Sequence, residues 1–281
     1  MLDAYDLPCE NAAVLAGGSN VLVHLKPTPV VARVMTATAV LHDDVQSWLL
    51  REVTVAAFLA KRGLAVSPTC LLPPGPHQRD GLWMTLWDYV PHDTSGSSPR
   101  ATELGHSLRG LHAALAEFAG EVEPLRGTQA GNERLVDELQ PAPWLSSADI
   151  ESLRVSLHEL TPQVFDSSRP AQVLHGDTGI GNLLRTGKKL LWNDLEDVCT
   201  GPVAWDVAGL VVSARARGHG EAFIEEVLDA YGDPHPGELS DFIAVHELYM
   251  TIWQSYEAQH RPQAERRAAA QVARWRERSG R

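Results

Sequence analysis

Two short apolar runs in this chain each end on a carboxylate: AQVLHGD at residues 171–177 and KLLWND at 189–194. Runs of this length read as short buried strands, so any fold must bring Asp177 and Asp194 to strand ends that converge. The intervening glycines, Gly176, Gly179 and Gly181, run GxxGxG and not GxGxxG, and no helical pattern starts inside them, which excludes a dinucleotide loop. GNLLRTGKK places five residues between Gly181 and Gly187 and follows Lys188 with Lys189, where a P-loop has four and then Ser or Thr. What remains is polar chemistry on a fixed spacing: His175, Asp177, Asn182 and Asp194. Two carboxylates and an amide at converging strand ends suit a hard cation such as Mg²⁺, which binds one or two carboxylates plus nucleotide phosphates.

The rest of the chain divides by pattern. NVLVHL (20–25) and VVARVM (30–35), separated by KPTP, predict a hairpin. A helix should follow from a cap at Asp43 or Asp44 to a stop at Gly63. LWMTLWDYV (82–90) reads as a strand after the loop PPGPHQRDG, and PHDTSGSSPR (91–100) as a linker. The expected division is therefore a strand-rich unit over 1–90 and a mostly helical unit over 91–281. In the second unit Leu104, Leu108, Leu111 and Leu115 form one helical stripe, and further helices are expected at 148–160, 219–231, 238–257 and 262–278.

Composition narrows the function classes. A formal net charge of −12 disfavours nucleic acid as a partner and favours a cationic ligand. No stretch approaches the roughly 20 apolar residues of a membrane helix. Cys9, Cys70 and Cys199 are odd in number and lack a CxxC pattern, which speaks against a disulfide framework or structural zinc. The start MLDAYDLPCEN lacks a basic region followed by an apolar one, so a cytoplasmic location is expected, as a monomer or homodimer.

HGDTGIGN followed by LLWNDLEDVCTGPVAWDVA resembles the aminoglycoside phosphotransferase family, whose signature reads HGDxxxxN, then DxE, then GDPxxDLA. Gly201-Pro202 stands here where many relatives have Gly-Asp-Pro. The resemblance implies an α+β, protein-kinase-like bilobal fold: a small β-rich lobe with one main helix, and a larger, mostly helical lobe. It implies Asp177 as catalytic base and Asn182 and Asp194 as magnesium ligands, with His175 holding the loop. Glu196 then lies beside the metal or has a structural role, and Asp206 is a helix N-cap or a tie to the catalytic loop. In such a fold a glycine-rich hairpin covers the nucleotide phosphates, a cation on the next strand binds them, and a helix glutamate holds that cation. Gly18, Ser19 and Asn20 match the turn, Arg33 the cation and Glu52 the glutamate, although Glu52 also suits an exposed charge paired with Arg51 or Lys61. Asp88 and Val90 match the backbone groups that meet an adenine edge. Trp87 lies beside the base or packs between lobes.

The implied reaction is Mg²⁺-dependent transfer of the ATP γ-phosphate, with GTP also possible, to a hydroxyl of a cationic small molecule. An antibiotic of the aminoglycoside or basic cyclic peptide type heads the expectations, with resistance as the outcome. A metabolic kinase for choline, an amino sugar, methylthioribose or homoserine is the alternative, and a catalytically silent nucleotide-binding regulator belongs to another class. Candidate substrate residues are Asp197, Glu247, Trp253 and Glu257, the two glutamates standing out in the otherwise apolar IAVHELYMTIWQSYEAQ.

Overall fold

A computed structural model describes residues 9–93, 99–232 and 236–279. The amino-terminal part is a five-stranded antiparallel sheet formed by β1 (Cys9–Gly17), β2 (Asn20–Pro27), β3 (Val30–Met35), β4 (His77–Arg79) and β5 (Leu82–Asp88), in the order β1-β2-β3-β5-β4. Helix α1 (Val45–Ala60) packs beside it and starts at Asp44, whose carboxylate accepts the Ser47 N–H at 3.0 Å. Strand β3 is buried on both faces and its side chains alternate. Val30 and Ala32 join Leu72 and Leu86 on one side, while Val31 joins the main core on the other. That alternation puts Arg33 on the Val31 face, toward α1 and the rest of the molecule. Its own burial therefore demands ionic partners there.

The second part contains α2 (Ala101–Leu115), α3 (Leu125–Glu138), α4 (Ser147–Val164), α5 (Ala204–Ala216), α6 (Glu221–Tyr231), α7 (Pro236–His260) and α8 (Glu265–Ser279). Between α4 and α5 lie two small antiparallel pairs: β6 (Gln172–Leu174) with β9 (Cys199–Gly201), and β7 (Leu183–Thr186) with β8 (Lys189–Trp192). The leucine stripe of α2, Trp205 and Leu210 of α5, and Phe242 and Ile252 of α7 share one core. This core continues into Val55, Leu59 and Trp87 of the first part, so both units rest on one apolar mass. Helices α2 and α6 meet closely at Gly105, where an added Cβ would lie 2.3 Å from the Val227 carbonyl oxygen. No helix among the described residues is long and apolar enough to cross a membrane.

The expected hairpin, α1, β5, α2, α4, α6, α7 and α8 are all present within a few residues of their predicted bounds. Residues 94–98 of the expected linker lie outside the described residues. Strand β1 escaped the pattern because its sequence, CENAAVLAG, is poor in β-branched residues and leaves Val14 68% exposed on the sheet edge. Helix α5 escaped for the opposite reason. AWDVAGLVVSARA is buried almost all round and carries no amphipathic period. Helix α3, LRGTQAGNERLVDE, is polar with two glycines, and it forms where Gly131 sits directly against the backbone of Leu41.

Helix α8 is tied to α4 through Asp149, which accepts from Ser146 N–H at 2.7 Å in a capping box and from Arg276 Nε at 2.7 Å. The Arg276 bonds outweigh burial and hold the Asp149 carboxyl at about 2. A depressed carboxyl stabilises the fold above its unfolded pKa and loses that contribution as pH falls through the folded value. Asp149→Asn should therefore cost about 1–2 kcal/mol at pH 7 by denaturant titration, with the gap to wild type narrowing below about pH 4.

Candidate active site

Arg33 reaches from β3 into the cleft between the two parts. Its Nη1 donates to both carboxylate oxygens of Glu52 on α1, at 3.2 and 3.0 Å. Its Nη2 donates to Asp194 Oδ1 at 2.7 Å and to Glu196 Oε2. Glu52 is fully buried, so the exposed-charge reading of that residue does not apply. One guanidinium thus serves three carboxylates, leaving an excess of two negative charges when all are ionised. Burial resists this excess, raising Glu52 to about 8 and Glu196 to about 7 even though Arg33 pulls both down.

Asp194 follows β8 with φ of 61°, a left-handed conformation that an aspartate tolerates better than most residues. It turns one carboxylate oxygen to Arg33 and remains 33% exposed on the side chain. Asn182 ends the short helical turn Ile180–Asn182, and its carbonyl accepts the N–H of Asn193, the neighbour of Asp194, at 3.0 Å. Asn182 Nδ2 donates to the Asp177 carbonyl at 2.9 Å and to Asp177 Oδ2 at 2.8 Å, which assigns the amide and leaves its oxygen as the acceptor end. The Asn182 and Asp194 oxygens beside a surplus of negative charge fit a divalent cation. No cluster of three or more His, Cys, Asp or Glu able to hold a metal occurs among the described residues, so Asn182 and Asp194 could supply only part of such an ion's ligand shell.

The loop carrying Asp177 is held from beneath by Asp206. Asp206 is wholly buried in the first turn of α5, where Val203 and not Asp206 is the N-cap, so its role is the tie. Its two oxygens accept the His175 N–H at 2.8 Å and the Gly176 N–H at 2.9 Å. Burial pushes its pKa upward, but these bonds and that from His112 Nε2 at 3.0 Å bring it below the ordinary range. His112 Nδ1 in turn accepts from Tyr231 O–H at 2.8 Å, so a neutral imidazole satisfies both contacts. Trp205 Nε1 donates to the Gly176 carbonyl at 2.8 Å, and Gly176 itself has φ of 88° with the Asp197 backbone filling the place of a Cβ. His175 accepts the Asp177 N–H at Nδ1 (3.3 Å) and donates from Nε2 to the Asn193 carbonyl (3.1 Å), which joins the two acid-terminated runs. Asp177 opens to the cleft, yet desolvation by the surrounding protein and the nearby Asp194 carboxylate raise its pKa.

A cavity of about 420 Å³ extends from this cluster under the sheet. Gly18, Ser19, Asn20, Arg33, Glu52, Trp87, Asp88, Val90 and Asp194 all line it, so the residues predicted for nucleotide contact converge. Asn20 also donates to Glu196 across the cleft at 3.3 Å. The Asp88 N–H is already bonded to the Ser67 carbonyl at 2.9 Å, and Trp87 Nε1 to Thr85 at 2.9 Å. The substrate candidates do not converge. Asp197 is half-buried beside the cluster, its carboxyl raised well above the usual range by burial and by Glu196, Asp177 and Asp194. Glu247 is paired with Arg278 of α8 at 2.7 Å, and Glu257 with Arg267 and with Arg261 at 3.7 Å. Trp253 is half-buried with its ring 6.0 Å from that of Tyr256.

The model of the phosphotransferase enzyme family (APH) matches residues 13–242, which include all of the sheet but the start of β1, the acid-terminated strands and Asp206. The chain belongs to that family. As a member it is a phosphotransferase. Comparison with curated proteins finds no match. Among solved structures, amicoumacin kinase hAmiN in complex with AMP-PNP, Ca²⁺ and Ami superposes with a TM-score of 0.70 at 11% identity, covering 96% of this chain and 89% of that one. A choline/ethanolamine kinase family protein from Mesorhizobium loti gives 0.63 at 17% identity over 98% and 89%. Aminoglycoside-3'-phosphotransferase of type VIII gives 0.63 at 18% over 87% and 95%. These similarities establish the protein-kinase-like bilobal fold.

Within this phosphotransferase, His112 and Tyr231 went unmarked in the sequence because they come from α2 and α6, far from the motif they support. Asp206→Ala should leave the His175 and Gly176 N–H groups buried without an acceptor. That should cost about 2–4 kcal/mol of stability with a larger loss of turnover, read by calorimetry beside a coupled ADP assay.

Proposed function

We propose that this phosphotransferase moves the γ-phosphate of ATP, with magnesium, to a hydroxyl group of a small cationic molecule. The observation that carries this reading is the Arg33 bridge, which ties Glu52 and Asp194 across a cavity that the Gly18–Asn20 turn covers. Asn182 and Asp194 would hold the metal, which when bound offsets phosphate charge and aligns the transferred group. Arg33, whose amino groups are engaged by Glu52, Asp194 and Glu196, would act on the phosphates chiefly through its permanent charge. The adenine edge would meet the segment at Asp88 and Val90, and because the Asp88 N–H is engaged, Val90 is the expected backbone donor.

Asp177 takes the part of base. Phosphoryl transfer asks little more of the protein than positioning and charge compensation, so a carboxylate need only accept the hydroxyl proton as transfer proceeds. The bond from Asn182 fixes one Asp177 oxygen and leaves the other for the acceptor. The raised pKa of Asp177 makes it a better proton acceptor than a solvated aspartate.

The acceptor class follows from charge. The net charge of −12 and the placement of Asp197 beside Asp177 favour a cationic substrate, such as an aminoglycoside or a basic cyclic peptide antibiotic. A second reading, a metabolic kinase for choline, an amino sugar, methylthioribose or homoserine, draws support from α7, whose Glu247 and Glu257 are already neutralised by arginines. An ADP-release screen across these compounds, with ATP and GTP as donors, should respond sharply to one class. Asp177→Asn should lower its turnover about 10²–10⁴-fold with nucleotide affinity nearly unchanged. Asp194→Ala should weaken Mg-ATP binding and turnover together. Tight ATP binding without transfer to any acceptor would instead support a regulatory role.

A further inference from the structure

The turn between β1 and β2 has no packing of its own. Space around Gly17 and Gly18 is open, with nothing within 4 Å of where a Cβ would stand. Polar contacts hold it instead. The Ser19 carbonyl accepts from Ala37 N–H at 2.9 Å and from Thr36 Oγ1 at 2.8 Å, and Asn20 bonds Thr38 and Glu196 at 3.0 and 3.3 Å. The Gly18 carbonyl, at the tip, is bonded by Arg261 Nη1, and Arg261 Nη2 donates to Thr36 Oγ1 at 3.1 Å. Arg261 lies 243 residues away, at the break between α7 and α8.

The local sequence presents this side chain. Pro262 restricts Arg261 to extended backbone, observed at φ −140° and ψ 96°, and its N–H bonds the Glu257 carbonyl at 2.8 Å. Glu257 is 7% exposed and lies between Arg267 and Arg261, so its charge steadies the guanidinium from behind. We propose that Arg261 is a positioning residue for phosphoryl transfer, reaching from the α7–α8 junction to hold the Gly17–Asn20 turn down over the phosphate end of the cleft. A planar guanidinium suits the task because its two amino groups meet two acceptors at once. A turn held in its closed place before nucleotide arrives loses less entropy on binding. Charged hydrogen bonds of this kind are also worth more than neutral ones.

The kinetic part of this inference rests on the proposed nucleotide role of the turn, whereas its structural part does not. Hydrogen exchange of the unliganded full-length enzyme should therefore be followed beside Mg-ATP titration and steady-state kinetics, for wild type, Arg261→Ala, Arg261→Lys and Glu257→Gln. Arg261→Ala should exchange about tenfold faster at residues 17–20 and bind Mg-ATP about tenfold more weakly, with KM raised more than kcat is lowered. Arg261→Lys should recover part of both effects because an ammonium still bonds one acceptor, and Glu257→Gln should fall between wild type and alanine. Unchanged exchange at the turn, or faster exchange with unchanged nucleotide affinity, would overturn the assignment. So would faster exchange spread over the whole chain in the alanine and lysine variants alike, which would mark Arg261 as a fold-stabilising residue. A looser turn and weaker ATP binding in an enzyme that phosphorylates no acceptor would uphold Arg261 and reject the acceptor reading.

Discussion

A buried guanidinium facing three carboxylates governs the arrangement of this molecule. Arg33 is forced inward by the alternation of β3, and in that position it needs anions from whatever element packs against the sheet. Glu52 comes from α1, while Asp194 and Glu196 come from the strand end and turn of the second part. The same ion cluster therefore sets the α1 orientation, the inter-lobe distance and the charge of the site. Buried pairs of this kind are weak evidence for stability, because desolvation offsets most of the Coulomb attraction. Their value here is that burial and crowding of three carboxylates on one guanidinium raise Glu52 and Glu196, a strain that an added cation would relieve.

The loop carrying Asp177 depends on a different device. Asp206 replaces a missing ladder partner for two successive N–H groups, and the chain from Tyr231 through His112 to Asp206 keeps that carboxylate ionised inside the core. Without such a tie the glycine conformation at 176 would leave Asp177 free to wander. Helices α2 and α6 thus support the loop only through Asp206 of α5, and their close packing at Gly105 helps place His112 and Tyr231 behind it.

How much of this was legible in the sequence depends on range. Asp177, Asn182 and Asp194 lie within 18 residues of one another in a motif whose spacing is itself informative, and the β2–β3 hairpin and α1 carry local turn and cap signals. Arg33 and Glu52 could be read as a pair because strand and helix follow each other directly. The attachment of Arg33 to Glu196, the His112 relay and the reach of Arg261 to Gly18 carry no local signal, because each joins residues more than ninety positions apart. Helix α5 was silent because complete burial erases the periodicity by which helices are recognised.

Glu247 and Glu257 show why charge in a sequence is not charge at a surface. Each stands out in an apolar stretch of α7, the pattern expected of a carboxylate aimed at a cationic ligand. Each is instead less than a tenth exposed and faces arginines of α8 or of the junction before it. The arginines come from ERRAAAQVARWRERS, whose apolar positions pack against α7 and carry the charged positions to either side. Acidic helix and basic helix thus neutralise one another, and the net negative charge of the chain resides elsewhere. Uncompensated acidity lies instead around Asp197, which is half-buried and crowded by Glu196, Asp177 and Asp194, a field that a positive charge would relieve.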